Sequence, residues 1–337
     1  MRRREFITLL GGAAAAWPLS ARAQQAAMPV IGVLSAEWPD PFTDRLRVFR
    51  DGLRETGYVE GRNLAIEYRW AEGQNDRLPE LAAELVRRQV SVIVTAGSTP
   101  AALAARKATT TIPIVFYLGA DPVQAGLVSS LSRPGGNLTG VVTLNVEVAP
   151  KRLELLHELV PTATKIAALI NPTTPVLAET LTRDLEAAAR TLGVKLHVLH
   201  ASSDRDFDTV FASLVQLRAG GLVIGTDALF NSRSEQLAIL AVRHAVPAIY
   251  QFREFVSAGG LMSYGTTVVD TYRPLGVYTG RILKGEKPAE LAVQQASRCS
   301  AARLRGRSRR ARSRPAACGA LGCSCPQPQT MRNFRPA

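Results

Sequence analysis

Between residues 1 and 298 the chain has no cysteine. Its four, Cys299, Cys318, Cys323 and Cys325, all fall near the C-terminus. The absence excludes structural disulfides, cysteine-ligated zinc and thiol catalysis from the body of the protein. It also suits the periplasm, an oxidising compartment in which stray thiols do not survive. Phosphate-cradling loops are missing as well: there is no G-x-x-x-x-G-K-[ST] and no G-x-G-x-x-G after the first apolar run. The G-x-S-x-G elbow of an α/β-hydrolase is absent too. Histidine is scarce, and His157, His197, His200 and His244 are read as structural. His197 and His200 lie three apart on a predicted strand, so they point to opposite faces and make poor co-ligands. No nucleophile–base pair can be named. The expectation is therefore a protein without catalytic residues, metal or cofactor.

The formal net charge of +13 would ordinarily suggest nucleic acid. It is confined to the two ends. Residues 1–23 carry four arginines and one glutamate, and residues 297–337 carry ten arginines with no lysine, aspartate or glutamate. The stretch between them is balanced, so the body has no electrostatic footprint for DNA or RNA.

The first end is an export signal. Arg2-Arg3-Arg4 form a basic n-region, Ile7 to Leu19 a mildly apolar stretch, and Ala21-Arg22-Ala23 a small-x-small cleavage site before Gln24. The apolar stretch is well short of the ~20 residues that span a bilayer, which argues against a retained anchor. Arg3-Arg4-Glu5-Phe6-Ile7 resembles the twin-arginine motif, whose route carries folded proteins. A Sec signal with a chance arginine pair is the other reading.

From Met28 to about Lys284 short β-branched apolar runs alternate with amphipathic helical patterns. Val30–Leu34 reads as a strand and Thr43–Glu55 as a helix, with Leu46, Phe49 and Leu53 on one face. Strands follow at 64–70, 90–95, 112–118 and 138–144, with helices at 77–89, 100–107 and 123–131. The turn Arg133-Pro134-Gly135-Gly136-Asn137 comes just before the pattern restarts. The second half offers strands at 165–170, 194–199, 221–224, 248–250 and 261–264, with helices at 151–159, 176–192, 207–217 and 234–244. One more helix is predicted at 271–283. Strands separated by helices of this length form parallel sheets with right-handed crossovers. About 260 residues is natural for two cores rather than one. The expected fold is α/β with two Rossmann-like lobes. Lobe 1 spans 28–145, with 268–295 returning toward it, and lobe 2 spans 146–267.

Ligands of open parallel sheets bind outside the carboxyl ends of the strands. The candidate site residues there are Ser35, Ser98, Thr99 and Asp121 in the first lobe and Asn171, Asp227 and Tyr264 in the second. Any single one of them can equally be a helix cap. Ser98 and Thr99 open a helix, whose free N–H groups favour a carboxylate. Asp121 or Asp227 can hold an ammonium group. Trp38, Tyr117, Tyr250 and Tyr264 can offer a face to a side chain, or serve as plain core. Together these groups suit a small amino-acid-like solute.

Several motifs carry a family likeness. They include Gly52-Leu53 to Gly57-Tyr58 with Glu60-Gly61-Arg62-Asn63, and Ile112-Pro113-Ile114-Val115-Phe116. Asp121-Pro122-Val123 with Gly126-Leu127-Val128, and Arg133-Pro134-Gly135-Gly136-Asn137-Leu138-Thr139-Gly140, are the most specific. Arg253-Glu254-Phe255, Gly259-Gly260-Leu261-Met262-Ser263-Tyr264-Gly265 and Ile282-Leu283-Lys284-Gly285 extend it. Over residues 1–295 the chain resembles the substrate-binding proteins of ABC transporters, in the family that includes the tryptophan-binding TrpX-like lipoproteins. The resemblance implies a type I periplasmic binding fold in which lobe closure traps a solute for an ABC permease and its ATPase. Lipoprotein members keep a cysteine at the cleavage site. None stands here, which implies a free periplasmic protein, not membrane-anchored. An α/β enzyme of unknown reaction and a LacI-like ligand sensor without its DNA-binding module are the alternatives.

From 296 the composition changes to Arg, Ala, Ser, Pro, Gly and Cys, without apolar periodicity, and such a segment buries no core. The family would continue with a strand and a helix returning to the first lobe. Residues 296–337 are therefore expected to be a disordered tail, the product of a frameshift near Gln295. The alternative is a genuine disordered basic arm. A lost element would leave a sheet edge or apolar face of the first lobe uncovered.

Overall fold

The computed structural model describes residues 28–39, 42–143, 145–296 and 300–303. The predicted export signal and residues 297–299 and 304–337 of the tail lie outside the described residues.

The chain runs β1 (Val30–Ser35), α1 (Thr43–Glu55), β2 (Ala65–Trp70), α2 (Leu78–Arg87), β3 (Val92–Ala96), α3 (Thr99–Ala108), β4 (Ile114–Leu118) and β5 (Leu138–Val142). It then crosses to the second lobe. There α4 (Ala149–Leu159), β6 (Lys165–Ile170), α5 (Pro175–Leu192), β7 (Lys195–His200), α6 (Phe207–Leu217), β8 (Leu222–Ile224), α7 (Ala228–Ser232), α8 (Ser234–Arg243), β9 (Ala248–Tyr250), α9 (Arg253–Ser257) and β10 (Met262–Gly265) follow. Finally α10 (Val268–Leu283) and β11 (Gln294–Gln295) return to the first lobe, and β12 (Ser300–Arg303) joins the second.

Each lobe is built on one six-stranded sheet, ordered β11-β5-β4-β3-β1-β2 in the first and β12-β10-β9-β8-β6-β7 in the second. All pairings are parallel except β10 with β12. The strands that read as unbroken apolar runs, such as Val92–Ala96 and Ile114–Leu118, are buried along their whole length. That is what helices on both faces of a parallel sheet require. In both lobes the first strand pairs with the second on one side and the third on the other, so the connections leave in opposite directions and open a crevice there. The two crevices face each other.

Two differences from the sequence reading have local causes. Residues 123–131 form turns and bends rather than a helix. Asp121 Oδ1 accepts the N–H groups of Val123 and Gln124, but Gly126 at φ +68° ends the winding after one turn. The expectation of an unstructured tail from 296 also fails at residues 300–303, which pair antiparallel with β10. Edge pairing uses backbone N–H and C=O, so it forms without an apolar pattern. This strand joins the sheet of the second lobe.

Between the lobes Arg152 of α4 is fully buried. It donates to the carbonyl of Asn145 at 2.7 Å, to Thr226 Oγ1 at 3.3 Å and to the carbonyl of Tyr264 at 3.4 Å. One side chain thereby ties the first crossing to the ends of β8 and β10.

Candidate functional site

A narrow cleft lies between the facing crevices. The first lobe lines it with Ala36 after β1, Gly97, Ser98 and Thr99 after β3, and Tyr117, Gly119 and Ala120 around the end of β4. The second lobe contributes Asn171 after β6, Thr226 and Asp227 after β8, Asn231 and Leu229 from α7, and Phe252 after β9. These are strand ends at both switch points, where the doubly wound topology leaves room.

Of the seven predicted residues, the cleft brings together Ser98, Thr99, Asn171 and Asp227. Ser98 caps α3, its Oγ accepting the N–H of Ala101 at 3.2 Å. Proline follows at position 100, so the N-terminal turn offers the N–H of Thr99 with its hydroxyl. Asp227 caps α7: Oδ1 accepts from Leu229 N–H at 2.8 Å and from the Asn171 amide at 2.9 Å. Both partners are neutral. Burial pushes the Asp227 carboxyl up to about 6, against the pull of those hydrogen bonds.

Ser35, Asp121 and Tyr264 do not line the cleft. Ser35 is sealed beneath it, with Oγ accepting the N–H of Glu37 at 3.1 Å, and Ala36 takes the surface position instead. Asp121 points its carboxylate back at its own turn, and Gly119 and Ala120 before it form the wall. Tyr264 packs, half-buried, against the core of the second lobe. In each case the strand end was located correctly, but the side chain faces away from the crevice or is spent locally.

Sequence reasoning missed a buried charge pair. Glu37, 1% exposed, is paired with Arg45 of α1. Burial raises the Glu37 carboxyl, opposed by the attraction and hydrogen bond of Arg45, and the nearby Asp227 adds to the rise. A signal was available. Arg45 is one turn before Phe49 on the inward stripe of α1, where a basic residue requires a partner. Phe252 and Asn231 were also missed, because the first follows and the second lies within a very short element with little periodicity.

The two lobes touch across the cleft. The Arg45 guanidinium donates to the carbonyl of Asn231 at 3.4 Å, and the Asn75 amide to Thr173 Oγ1 at 3.4 Å. At the mouth the Arg233 guanidinium sits 4.4 Å from the centroid of the Trp38 ring. A Cβ on Gly119 would stand 2.9 Å from the Thr226 methyl group. This is a closed arrangement. Trp38→Ala removes the cation–π contact and is expected to weaken solute affinity about 2- to 30-fold by favouring the open state. Calorimetric titration of mutant and parent with the same solute measures it.

Two doubly wound lobes with a polar cleft at their switch points define the type I periplasmic-binding-protein fold. The chain matches the family model described as ABC transporter substrate binding protein over residues 40–301. It is 31% identical over 249 residues to a tyrosine-binding protein of Clostridioides difficile (strain R20291), covering 73% of this chain and 70% of that one. A conserved domain protein from Vibrio cholerae superposes with TM-score 0.71 at 28% identity, covering 82% and 92% of the two chains. The ABC domain from Streptococcus pneumonia in complex with L-Trp gives TM-score 0.71 at 24% identity over 82% and 91%. The chain belongs to the ABC transporter substrate-binding protein family, and its homologues include amino-acid binders.

Proposed function

We propose that the chain is the periplasmic solute-binding component of an ABC importer, and that it captures a free amino acid between its lobes. The observation that carries this reading is the division of charge complementarity across the cleft. The first lobe presents the N-terminus of α3 at Ser98 and Thr99, which favours a carboxylate. The second presents Asp227, a buried carboxylate that has no cationic partner among the described residues, which favours an ammonium. A zwitterion satisfies both at once, and only with both lobes in place, so binding stabilises closure. The named tyrosine-binding relative and the L-Trp complex support the solute class. The closed form would be handed to the permease and ATPase, and the export signal in the sequence would place the encounter in the periplasm.

A thermal-shift screen of the purified chain against amino acids, sugars and simple carboxylates tests this. At least one amino acid is expected to raise the melting temperature and be recovered unchanged. Stabilisation by sugars alone, or turnover of the ligand, would sink the reading.

A further inference from the structure

Resting on that reading, we infer that Asn231 holds the solute's carboxylate from the second lobe, through an amide that Gln251 keeps turned toward the cleft. Asn231 stands on α7 and lines the cleft, only 8% exposed. Most of its polar groups are already spent. Its N–H donates to the Asp227 carbonyl at 3.1 Å, and its own carbonyl accepts from Arg45 at 3.4 Å. Its Oδ1 accepts from the side-chain amide of Gln251. What remains is Nδ2, which makes no hydrogen bond among the described residues. Gln251 is fully buried just after β9, beneath the cleft wall. With Oδ1 held from below, Asn231 presents its NH2 group on the other side, as a donor.

Asp227 lies one turn earlier, so the two side chains share a face of α7 with Cβ atoms about 5–6 Å apart. One short helix thus offers an acceptor and a donor side by side. That pairing suits an amino acid, which carries its ammonium and its carboxylate on a single carbon. Asp227 accepts from the first and Asn231 donates to the second. The N-terminal turn of α3 meets the same carboxylate from the first lobe, so both lobes hold it only when they are closed. A hydrogen bond to a carboxylate is roughly twice as strong as one to a neutral carbonyl. Asn231 therefore tells a free amino acid from its primary amide.

The test is calorimetric titration of the purified chain with tyrosine, tryptophan, leucine and alanine, each beside its primary amide. In Asn231→Ala the tightest-binding free acid is expected to lose at least about tenfold in affinity, and its primary amide at most about threefold. In Gln251→Leu the Asn231 amide is present but free to turn, so the free acid should lose about threefold and more than the primary amide does. Circular dichroism checks that each variant is folded; if Asn231→Ala is not, Gln251→Leu carries the test alone. Equal losses for acid and amide, or parent affinity in either folded variant, would each overturn the inference while leaving amino-acid capture standing. Failure of every amino acid to bind would overturn both.

Discussion

Asp227→Asn is expected to stabilise the solute-free protein at neutral pH and abolish its response to solute. The carboxyl is raised from 3.8 to about 6 by burial, so the native state holds its proton more tightly than the unfolded chain does. For such a group the stabilisation is fully present below pH 3.8 and is lost as pH rises through about 6. At pH 7.5 the ionised form therefore costs roughly 2–3 kcal/mol, which asparagine avoids. The asparagine Oδ1 can still accept from Leu229 and Asn171, so the cap on α7 survives. Denaturant unfolding at pH 5 and pH 7.5 measures the first half, with the largest gain expected at the higher pH. The second half is read by titration with the solute: affinity should fall at least about 100-fold, because the ammonium loses its counter-charge. For the parent, the same logic makes affinity decline as pH drops below about 6. A variant that is no more stable at pH 7.5, or that still binds well, would show that Asp227 is only a helix cap.

The second large effect is expected where α1 and α10 pack together. Helices α1 and α10 cross so closely that a Cβ on Gly276 would stand 2.1 Å from the carbonyl oxygen of Phe49, and one on Gly52 would stand 2.1 Å from that of Arg273. Both obstacles are backbone, which a rotamer change cannot relieve. Gly276→Ala should therefore force the helices apart and cost about 2–3 kcal/mol, despite alanine's better helix propensity. Loss of that packing loosens the segment that returns from the second lobe to the first. Urea unfolding of parent and mutant measures it. A stabilised mutant would mean that the helices are free to separate.

Much of the architecture was legible in the sequence because its causes are local. Period-2 and period-3.6 patterns and continuous apolar runs such as Ile114–Leu118 mark elements that both sheet faces bury. Alternation of strand and helix then leaves few topologies open. The same reasoning located the strand ends, and Ser98, Thr99, Asn171 and Asp227 do meet in the cleft.

Orientation of individual side chains was a different matter. Ser35 lies one residue short of the surface, and Asp121 is consumed by its own turn. Glu37 and Arg45, eight residues apart, become partners only when α1 folds back over the end of β1. Gly276 and Gly280 of α10 carry no sequence signal of their partner; the structure sets them against α1 and the residue that follows it, Thr56. Likewise Ser300–Arg303 has no strand pattern, and its place depends on the open edge of β10. Sequence by itself determined the fold class, the paired lobes and the kind of residue offered at their strand ends, since each follows from short-range periodicity and turn chemistry. Tertiary structure alone decided which oxygens face the cleft, which charges are already balanced and how the lobes touch, since those depend on distances between segments that periodicity does not encode.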